Sequence, residues 1–142
     1  MPIRIALMRS IVINGRRVKG QEARGMVESI GGTDVRSVIA TGNLLFRSRK
    51  GPAALVRELE TACAAVYGKP TEMVIRTAPA WRALMAANPF PAESARAPAR
   101  VLAWAMRDPL PDAGLEQLRR RAGADERVER TAEGDLYMWF GG

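Results

Sequence analysis

Residues 35–48 read VRSVIATGNLLFRS, and this segment decides the fold. Its first half alternates in the manner of a strand whose two faces differ, and the apolar run LLF follows after a break. Gly42 and Asn43 lie between the two runs. Gly followed by Asn is a two-residue hairpin signal, because glycine accepts a positive φ without strain. The segment therefore predicts a β-hairpin that turns at Gly42 and Asn43.

The elements predicted on either side of the hairpin complete a β-α-β-β-α-β unit over residues 1–76. Apolar alternation predicts a strand at residues 3–8, and a 3.6-residue period predicts a helix at residues 20–30. A second helix opens at residues 50–52, and a strand follows at residues 71–76. This order is the ferredoxin-like pattern. The buried stripe expected on the second helix is Leu55, Leu59, Ala62, Cys63 and Val66.

The remaining residues, 77–142, predict a second and incomplete unit. A short helix at residues 78–87 and a polar connector to Ala99 precede a strand at residues 100–106. A helix at residues 112–122 and two strands at residues 127–131 and 135–140 complete this half. Its β-α-β-β order repeats the start of the first unit. We expect an α+β fold with antiparallel sheets, in which the second unit packs on the first within one compact domain. The expected role of all three tryptophans, Trp81, Trp104 and Trp139, is packing.

The charge balance allows two interpretations. The chain has 142 residues, with 22 Lys or Arg against 15 Asp or Glu, a formal net charge of +7. Such an excess suits an anionic partner such as nucleic acid or a phosphate. The interpretation that we favour is an arginine-rich composition whose charges are simply solvated.

The residue types that are missing exclude several chemistries. The sequence has no histidine and one cysteine, Cys63. A Ser-His-Asp or Cys-His nucleophile, a histidine metal site and a zinc-thiolate site are therefore excluded. We expect no cofactor and no metal, and no residue qualifies as catalytic. The unpaired Cys63, expected to be buried and inert, fits a reducing compartment. No targeting segment and no apolar run of about 20 residues is found, so we expect a cytoplasmic protein without a membrane partner.

The candidate site lies where the first loop meets the hairpin. In the ferredoxin-like order, the end of the first strand and the turn of the hairpin share one edge of the sheet. Backbone N–H groups of a glycine-containing turn and arginine side chains suit phosphate or carboxylate. The alternative is that Asn14-Gly15 and Gly42-Asn43 are only turns. The candidate ligand-binding residues are Arg9, Asn14, Arg16, Arg17, Thr41 and Asn43.

Six short motifs in sequence order resemble the DUF1697 family, a bacterial domain family of unknown function. They are ALMRSI at 6–11, NGR at 14–16, TDVR at 33–36, TGNLLF at 41–46, ANPFP at 87–91 and LYMWF at 136–140. The resemblance implies a duplicated ferredoxin-like architecture. The first loop departs from the family pattern, because Ser10, Val12 and Asn14 stand where the family has Gly, Asn and Gly. The family pattern also continues past the last strand with a Gly-rich turn and a basic helix, so we expect this chain to be C-terminally truncated relative to it.

These observations leave three functional hypotheses. The first is a small-ligand or anion-binding module without evident catalytic machinery. The second is a nucleic-acid-binding protein that uses an arginine-rich surface, and the third is a structural or oligomer-forming protein without a ligand. An enzyme stays open as a further class, although no set of catalytic residues supports it. Because the strand at residues 135–140 carries large apolar groups on both faces, we also expect a homodimer built on that region.

Overall fold

The computed structural model describes residues 1–141, with every side chain except that of Ala40. The chain divides into two compact units, Met1–Trp81 and Arg82–Gly142. The elements of the first unit are β1 (Ile3–Met8), β2 (Val12–Ile13), β3 (Arg16–Arg17), α1 (Gly20–Ser29), β4 (Thr33–Val38), β5 (Ala40–Arg47), α2 (Pro52–Tyr67) and β6 (Met73–Thr77).

The first unit has the ferredoxin-like topology that the sequence predicts. Its four-stranded sheet has the order β4-β5-β1-β6, and all neighbouring strands are antiparallel. At the centre of the sheet, Ile5 of β1 lies between Leu45 of β5 and Arg76 of β6. The first loop, residues 9–19, contains a small antiparallel ribbon formed by β2 and β3.

Both helices cover the same face of this sheet. That face carries Ala6, Leu44 and Phe46, all buried. Helix α1 buries Ala23, Met26 and Val27. Helix α2 buries Leu55, Leu59, Cys63 and Tyr67.

The predicted stripe of α2 is wrong at its last position. Val66 is 41% exposed, and Tyr67 takes the buried place beside Leu59 and Cys63. The reason lies in the hydroxyl of Tyr67, which finds a polar partner on α1 and so lets the ring enter the core.

The hairpin also differs from its prediction in where it turns. The reversal lies at Ile39, which has a positive φ of 67°, and Val38 pairs with Ala40 across it. Gly42 and Asn43 lie inside β5 instead. The glycine serves a close approach, because a Cβ added to Gly42 would lie 2.8 Å from Cγ2 of Ile11.

The second unit repeats the first three main strands. Helix α3 (Ala78–Ala86) crosses the boundary between the units, and the elements that follow are α4 (Pro91–Arg96), a 3-10 turn at Pro98–Arg100, β7 (Val101–Trp104), α5 (Asp112–Arg121), β8 (Glu126–Arg130) and β9 (Leu136–Phe140). The antiparallel sheet has the order β7-β9-β8. Since β7, β8 and β9 match β1, β4 and β5 in order and pairing, the second unit is an incomplete relative of the first.

Two predictions in this half are corrected. The polar connector predicted to run to Ala99 contains a helix that the sequence does not predict, α4, which begins at Pro91 because proline suits the first turn of a helix. Trp104 is 55% exposed instead of packed, because β7 is the edge strand of its sheet. Trp139 is buried, with the guanidinium of Arg96 5.8 Å from its ring centre.

Within the described part of the chain, no helix has both the length and the apolar character needed to cross a membrane.

Candidate functional site

The β2–β3 ribbon has two faces with different neighbours. Asn14 and Gly15 form its turn, with positive φ angles of 53° and 78°, as a two-residue hairpin turn requires. Ile13 pairs with Arg16 and is buried, whereas Val12 pairs with Arg17 and is 55% exposed. Because directly paired residues share a face, Arg16 lies on the inner face of the ribbon and Arg17 on the outer face.

Arg16 on the inner face is held by a charged cluster. Its guanidinium forms an ion pair with Glu22 and lies 4.8 Å from the ring centre of Tyr67. The hydroxyl of Tyr67 donates to Oε1 of the same Glu22 at 2.9 Å. This cluster ties the ribbon to the start of α1 and the end of α2.

The cluster shifts the acidity of both its titratable members. The hydrogen bond from Tyr67 is the largest cause that holds the pKa of Glu22 below its ordinary value, and Arg16 acts in the same direction. Burial, followed by the hydrogen bond to Glu22, raises the pKa of Tyr67 to about 12. Glu22 is therefore anionic and Tyr67 neutral near pH 7.

Asn14 at the tip of the ribbon closes the end of α2. Its Nδ2 donates to the backbone oxygen of Tyr67 at 3.1 Å, and Arg16 Nη1 donates to the oxygen of Val66 at 3.5 Å. The last carbonyls of a helix lack partners within it and carry partial negative charge. Gly68 then ends α2 in the left-handed conformation, with φ 82°. Asn14 and Arg16 thus complete the C-terminus of α2.

Arg9 lies at the root of the ribbon, which is the segment of residues 9–11 between β1 and β2, and it lies beside the start of β6. Its Nη1 is 2.7 Å from Oε2 of Glu72, and its backbone N–H donates to the Glu72 oxygen at 2.9 Å. Both side chains of this pair are more than half exposed. Exposed pairs of this kind contribute about 0–1 kcal/mol, so a competing anion can displace Glu72 at little cost.

Thr41 and Asn43 lie on β5, on either side of Gly42. Asn43 pairs with Leu7 near the end of β1. Ile11, at the root of the ribbon, packs on Gly42, and Met8 lies 3.4 Å from the position of a Cβ there. This contact joins the basic ribbon to the first residues of β5.

The six predicted residues therefore fall into two groups. Asn14 and Arg16 are engaged with α1 and α2, and they hold the ribbon in place. Arg9, Arg17, Thr41 and Asn43 lie at the root and outer face of the ribbon and on the neighbouring strand. Within residues 1–141, the guanidinium of Arg17 has neither an ion-pair nor a hydrogen-bond partner.

Sequence reasoning missed three residues of this region: Glu22, Tyr67 and Glu72. Only Glu22 had a local signal, since it stands three residues after Lys19 at the start of α1 and accepts from the Lys19 N–H at 3.2 Å. Tyr67 and Glu72 reach the ribbon across more than 40 residues of sequence, so no local pattern indicates their contacts.

The described structure also contains cavities, of which one lies in the second unit and one is partly lined by Gly20, Gln21 and Ser37. One of about 620 Å³ opens beside the turn between β8 and β9, and one of about 280 Å³ lies between α1 and β4. In the first cavity Arg130 is already paired with Asp112 at 2.7 Å and with the backbone oxygen of Leu110 at 2.8 Å. Residues 1–141 contain no cluster of three potential metal-binding side chains.

Cys63 is buried on α2, as its place on the predicted stripe requires. Its Sγ lies 3.7 Å from the backbone oxygen of Lys69. Burial raises the pKa of the thiol, which leaves it protonated and unreactive near pH 7.

The fold defines a mixed α/β protein built from one complete and one incomplete ferredoxin-like unit. A family model described as a protein of unknown function, DUF1697, matches residues 1–137. The chain belongs to this family, as the motifs in its sequence indicate. No curated protein matches the chain.

A solved structure supports the same assignment. The conserved bacterial protein SP0830 from Streptococcus pneumoniae is similar to this chain, with 25% sequence identity and a TM-score of 0.77. The similarity covers 99% of this chain and 78% of that protein. The family model thus assigns the chain to a family described as of unknown function, and the solved structure shares its fold.

Proposed function

We propose that the chain is a small-ligand or anion-binding module whose site is the ribbon end of the first unit. The ribbon end is defined as residues 9–22, 36–43 and 66–73. The observation that carries the proposal is the packing of Ile11 on Gly42, which joins the basic ribbon to the strand that bears Thr41 and Asn43.

The charge of the ribbon end supports this function. The ribbon end contains two carboxylates, Glu22 and Glu72, and six cations, which gives these three segments a net charge of +4. The cations are Arg9, Arg16, Arg17, Lys19, Arg36 and Lys69. Such an excess raises the local concentration of anions and favours phosphate or carboxylate groups.

The side chains that would contact the anion are Arg9, Arg17, Thr41 and Asn43. Arginine offers a planar fork of N–H donors that matches a carboxylate or phosphate, and the hydroxyl and amide groups offer further donors. Asn14 and Arg16 act by positioning the ribbon, because their donors are engaged by α2 and by Glu22.

Calorimetric titration with inorganic phosphate and pyrophosphate tests the proposal. The double variant R9Q/R17Q is expected to weaken binding at least about tenfold, since each charge-assisted hydrogen bond contributes about 1.5–3 kcal/mol. The matched control is R120Q/R121Q, which removes two exposed arginines of α5 in the second unit. Equal losses in both variants, or no binding by the unmodified chain, would contradict the proposed site.

Nucleic-acid binding is the competing function, and salt separates the two. A protein that neutralises several phosphates of a duplex loses affinity steeply as salt rises, with a slope that counts those phosphates. We expect duplex or single-stranded oligonucleotides to bind no more tightly than pyrophosphate. A steep salt slope with longer oligonucleotides would favour the competing function instead.

We also propose a homodimer through residues 135–140 and the neighbouring strand β7. Phe140, Leu102 and Trp104 are the exposed apolar side chains of this region. In the first unit, β6 pairs with the edge of β1 that faces away from β5. The corresponding edge of β7 in the second unit faces away from β9, and no strand among residues 1–141 pairs with it. A second copy of β7 would fill that position about a two-fold axis. Four residues of the region are already buried within one chain: Asp135, Leu136, Tyr137 and Trp139.

Sedimentation at micromolar concentration tests the dimer. The unmodified chain is expected to sediment as a dimer and the variant Trp104→Lys as a monomer, with Met85→Lys on α3 as the exposed control. A monomeric wild-type chain would contradict the proposal. We further propose a cytoplasmic location, which the single buried cysteine supports.

A further inference from the structure

We propose that the ribbon end docks on a lipid surface that carries acidic phospholipids, with Ile39 entering the headgroup region. This inference rests on the anion-binding site proposed above and assigns its partner. The partner is a membrane surface, and the protein lies on it without crossing it.

Ile39 at the tip of the β4–β5 hairpin is the first observation. Its side chain is fully exposed, at 101%, and its φ is 67°. A β-branched residue is disfavoured in this left-handed conformation, which Asn or Gly adopts more readily. The isoleucine therefore contributes neither to the turn nor to the core of the unit. Its neighbour Val38 is 46% exposed as well.

The outer face of the ribbon adds a second apolar group next to a cation. Val12 is 55% exposed and pairs directly with Arg17. Single exposed apolar side chains are ordinary on protein surfaces. Here, however, Val12 and Ile39 belong to the two segments that the contact of Ile11 with Gly42 joins. Exposed apolar side chains thus lie on the ribbon and on the β4–β5 hairpin, both of which belong to the basic ribbon end.

Charge complementarity selects the partner. The net charge of +4 on the ribbon end attracts an anionic leaflet, where each Lys or Arg near the surface strengthens binding about fivefold. Free phosphate and nucleic acid use the cations but gain nothing from burying Ile39. An anionic lipid surface uses both the cations and the apolar tip, as surface-bound segments with a basic and an apolar part do.

This inference revises the expectation that the protein has no membrane partner. That expectation rested on the absence of a long apolar run in the sequence. A surface-docking protein needs no such run, because only a few side chains enter the interface.

Co-sedimentation with vesicles tests the inference. Two vesicle types are compared: pure phosphatidylcholine, and phosphatidylcholine mixed with phosphatidylserine. The informative variant is Ile39→Asn, which removes the apolar side chain and keeps a residue suited to positive φ, so the fold is retained. We expect binding to the mixed vesicles only, about tenfold or more weaker binding for I39N, and about fivefold weaker binding for Arg17→Gln.

Two controls in the second unit match these variants. Met85→Gln removes an exposed apolar side chain, and Arg120→Gln removes an exposed cation; both are expected to bind the mixed vesicles within about twofold of the unmodified chain. Unchanged binding of I39N to the mixed vesicles together with weakened R17Q would overturn the entry of Ile39 into the headgroup region and leave the anion-binding site standing. No binding to mixed vesicles by a chain that still binds pyrophosphate would overturn lipid docking alone. Loss of pyrophosphate binding as well would remove both proposals.

Discussion

The hydroxyl of Tyr67 donates a hydrogen bond to Oε1 of Glu22 at 2.9 Å and joins the last turn of α2 to the first turn of α1. Arg16 reaches the other oxygen of the same carboxylate, so the basic ribbon is held by the two helices. The geometry of the ribbon end thus depends on a residue pair that is 45 positions apart in sequence.

The variant Tyr67→Phe tests this link. The ring remains to fill the core, while the donor to Glu22 is lost. We expect the free energy of unfolding to fall by about 1 kcal/mol, the usual contribution of one such hydrogen bond. Urea denaturation measures it. The control is Tyr137→Phe in the second unit, whose hydroxyl donates to the backbone oxygen of Leu84 at 2.6 Å. Weaker phosphate binding by Y67F but not by Y137F would connect the link to the site.

The acid side of the stability profile should depend on Glu22. The pKa of Glu22 in the folded chain lies below its ordinary value. Its contribution to the free energy of unfolding is therefore present above the pKa of the unfolded chain and is lost as the pH falls through the pKa of the folded chain. We expect Glu22→Gln to be less stable than the unmodified chain at neutral pH. The difference should shrink as the pH falls below about 4. A difference that stays constant from neutral to acid pH would show that the carboxylate charge is unimportant.

The stability of the chain at alkaline pH should depend on Tyr67. Its pKa is raised from 10 to about 12, so its contribution is present below pH 10 and is lost as the pH rises through 12. Burial also raises the pKa of Tyr137, the other tyrosine of the chain. Absorbance of tyrosinate should therefore remain low at pH 10 and increase only above it. Half-ionised tyrosine at pH 10 in a folded chain would contradict this arrangement.

The contact of Ile11 with Gly42 should make Gly42→Ala destabilising. A Cβ would lie 2.8 Å from Cγ2 of Ile11, and the stiff β-branched side chain has to move. We expect a loss of about 1–3 kcal/mol, which Ile11→Ala in the same chain should partly restore. Gly25→Ala is the matched control, because a Cβ there meets nothing within 4 Å and lies within α1. That control is expected to gain about 0.5–1 kcal/mol. Additive losses for I11A and G42A would argue against the contact.

A second glycine tests the packing of the second unit. A Cβ on Gly134 would lie 2.5 Å from Cβ and 2.7 Å from Cα of Pro109, and its φ is 93°. Gly134→Ala is expected to lose about 2 kcal/mol or more, since it combines a clash with backbone strain. Thermal denaturation followed by circular dichroism measures this loss. A melting temperature equal to that of the unmodified chain would show that this turn is not fixed by Pro109.

The sequence was sufficient for most elements because their signals are local. The apolar periods of residues 20–30 and 50–66 reflect one buried helix face each, and the Asn14-Gly15 turn forms where its residue types favour it. The hairpin turn could not be located in this way. Gly42 looked like a turn residue, whereas tertiary packing by Ile11 explains its presence in β5.

The sequence predicts the candidate site less well than the fold, for a related reason. A list of loop cations indicates charge, but it does not indicate which of them a carboxylate from another element neutralises. Glu72 pairs with Arg9 and Glu22 with Arg16, and both partners depend on the folded topology. The exposure of Trp104 was missed similarly, because a strand sequence does not show that its strand lies at an edge.

Backbone NMR during a titration with pyrophosphate tests the central claim most directly, because it locates the anion on the chain. The account predicts that the largest amide shifts lie at Arg9, Arg17, Thr41 and Asn43, and that amides of α5 in the second unit stay unchanged. Shifts concentrated beside the cavity at Arg130, or spread evenly over all surface arginines, would contradict an anion site at the ribbon end.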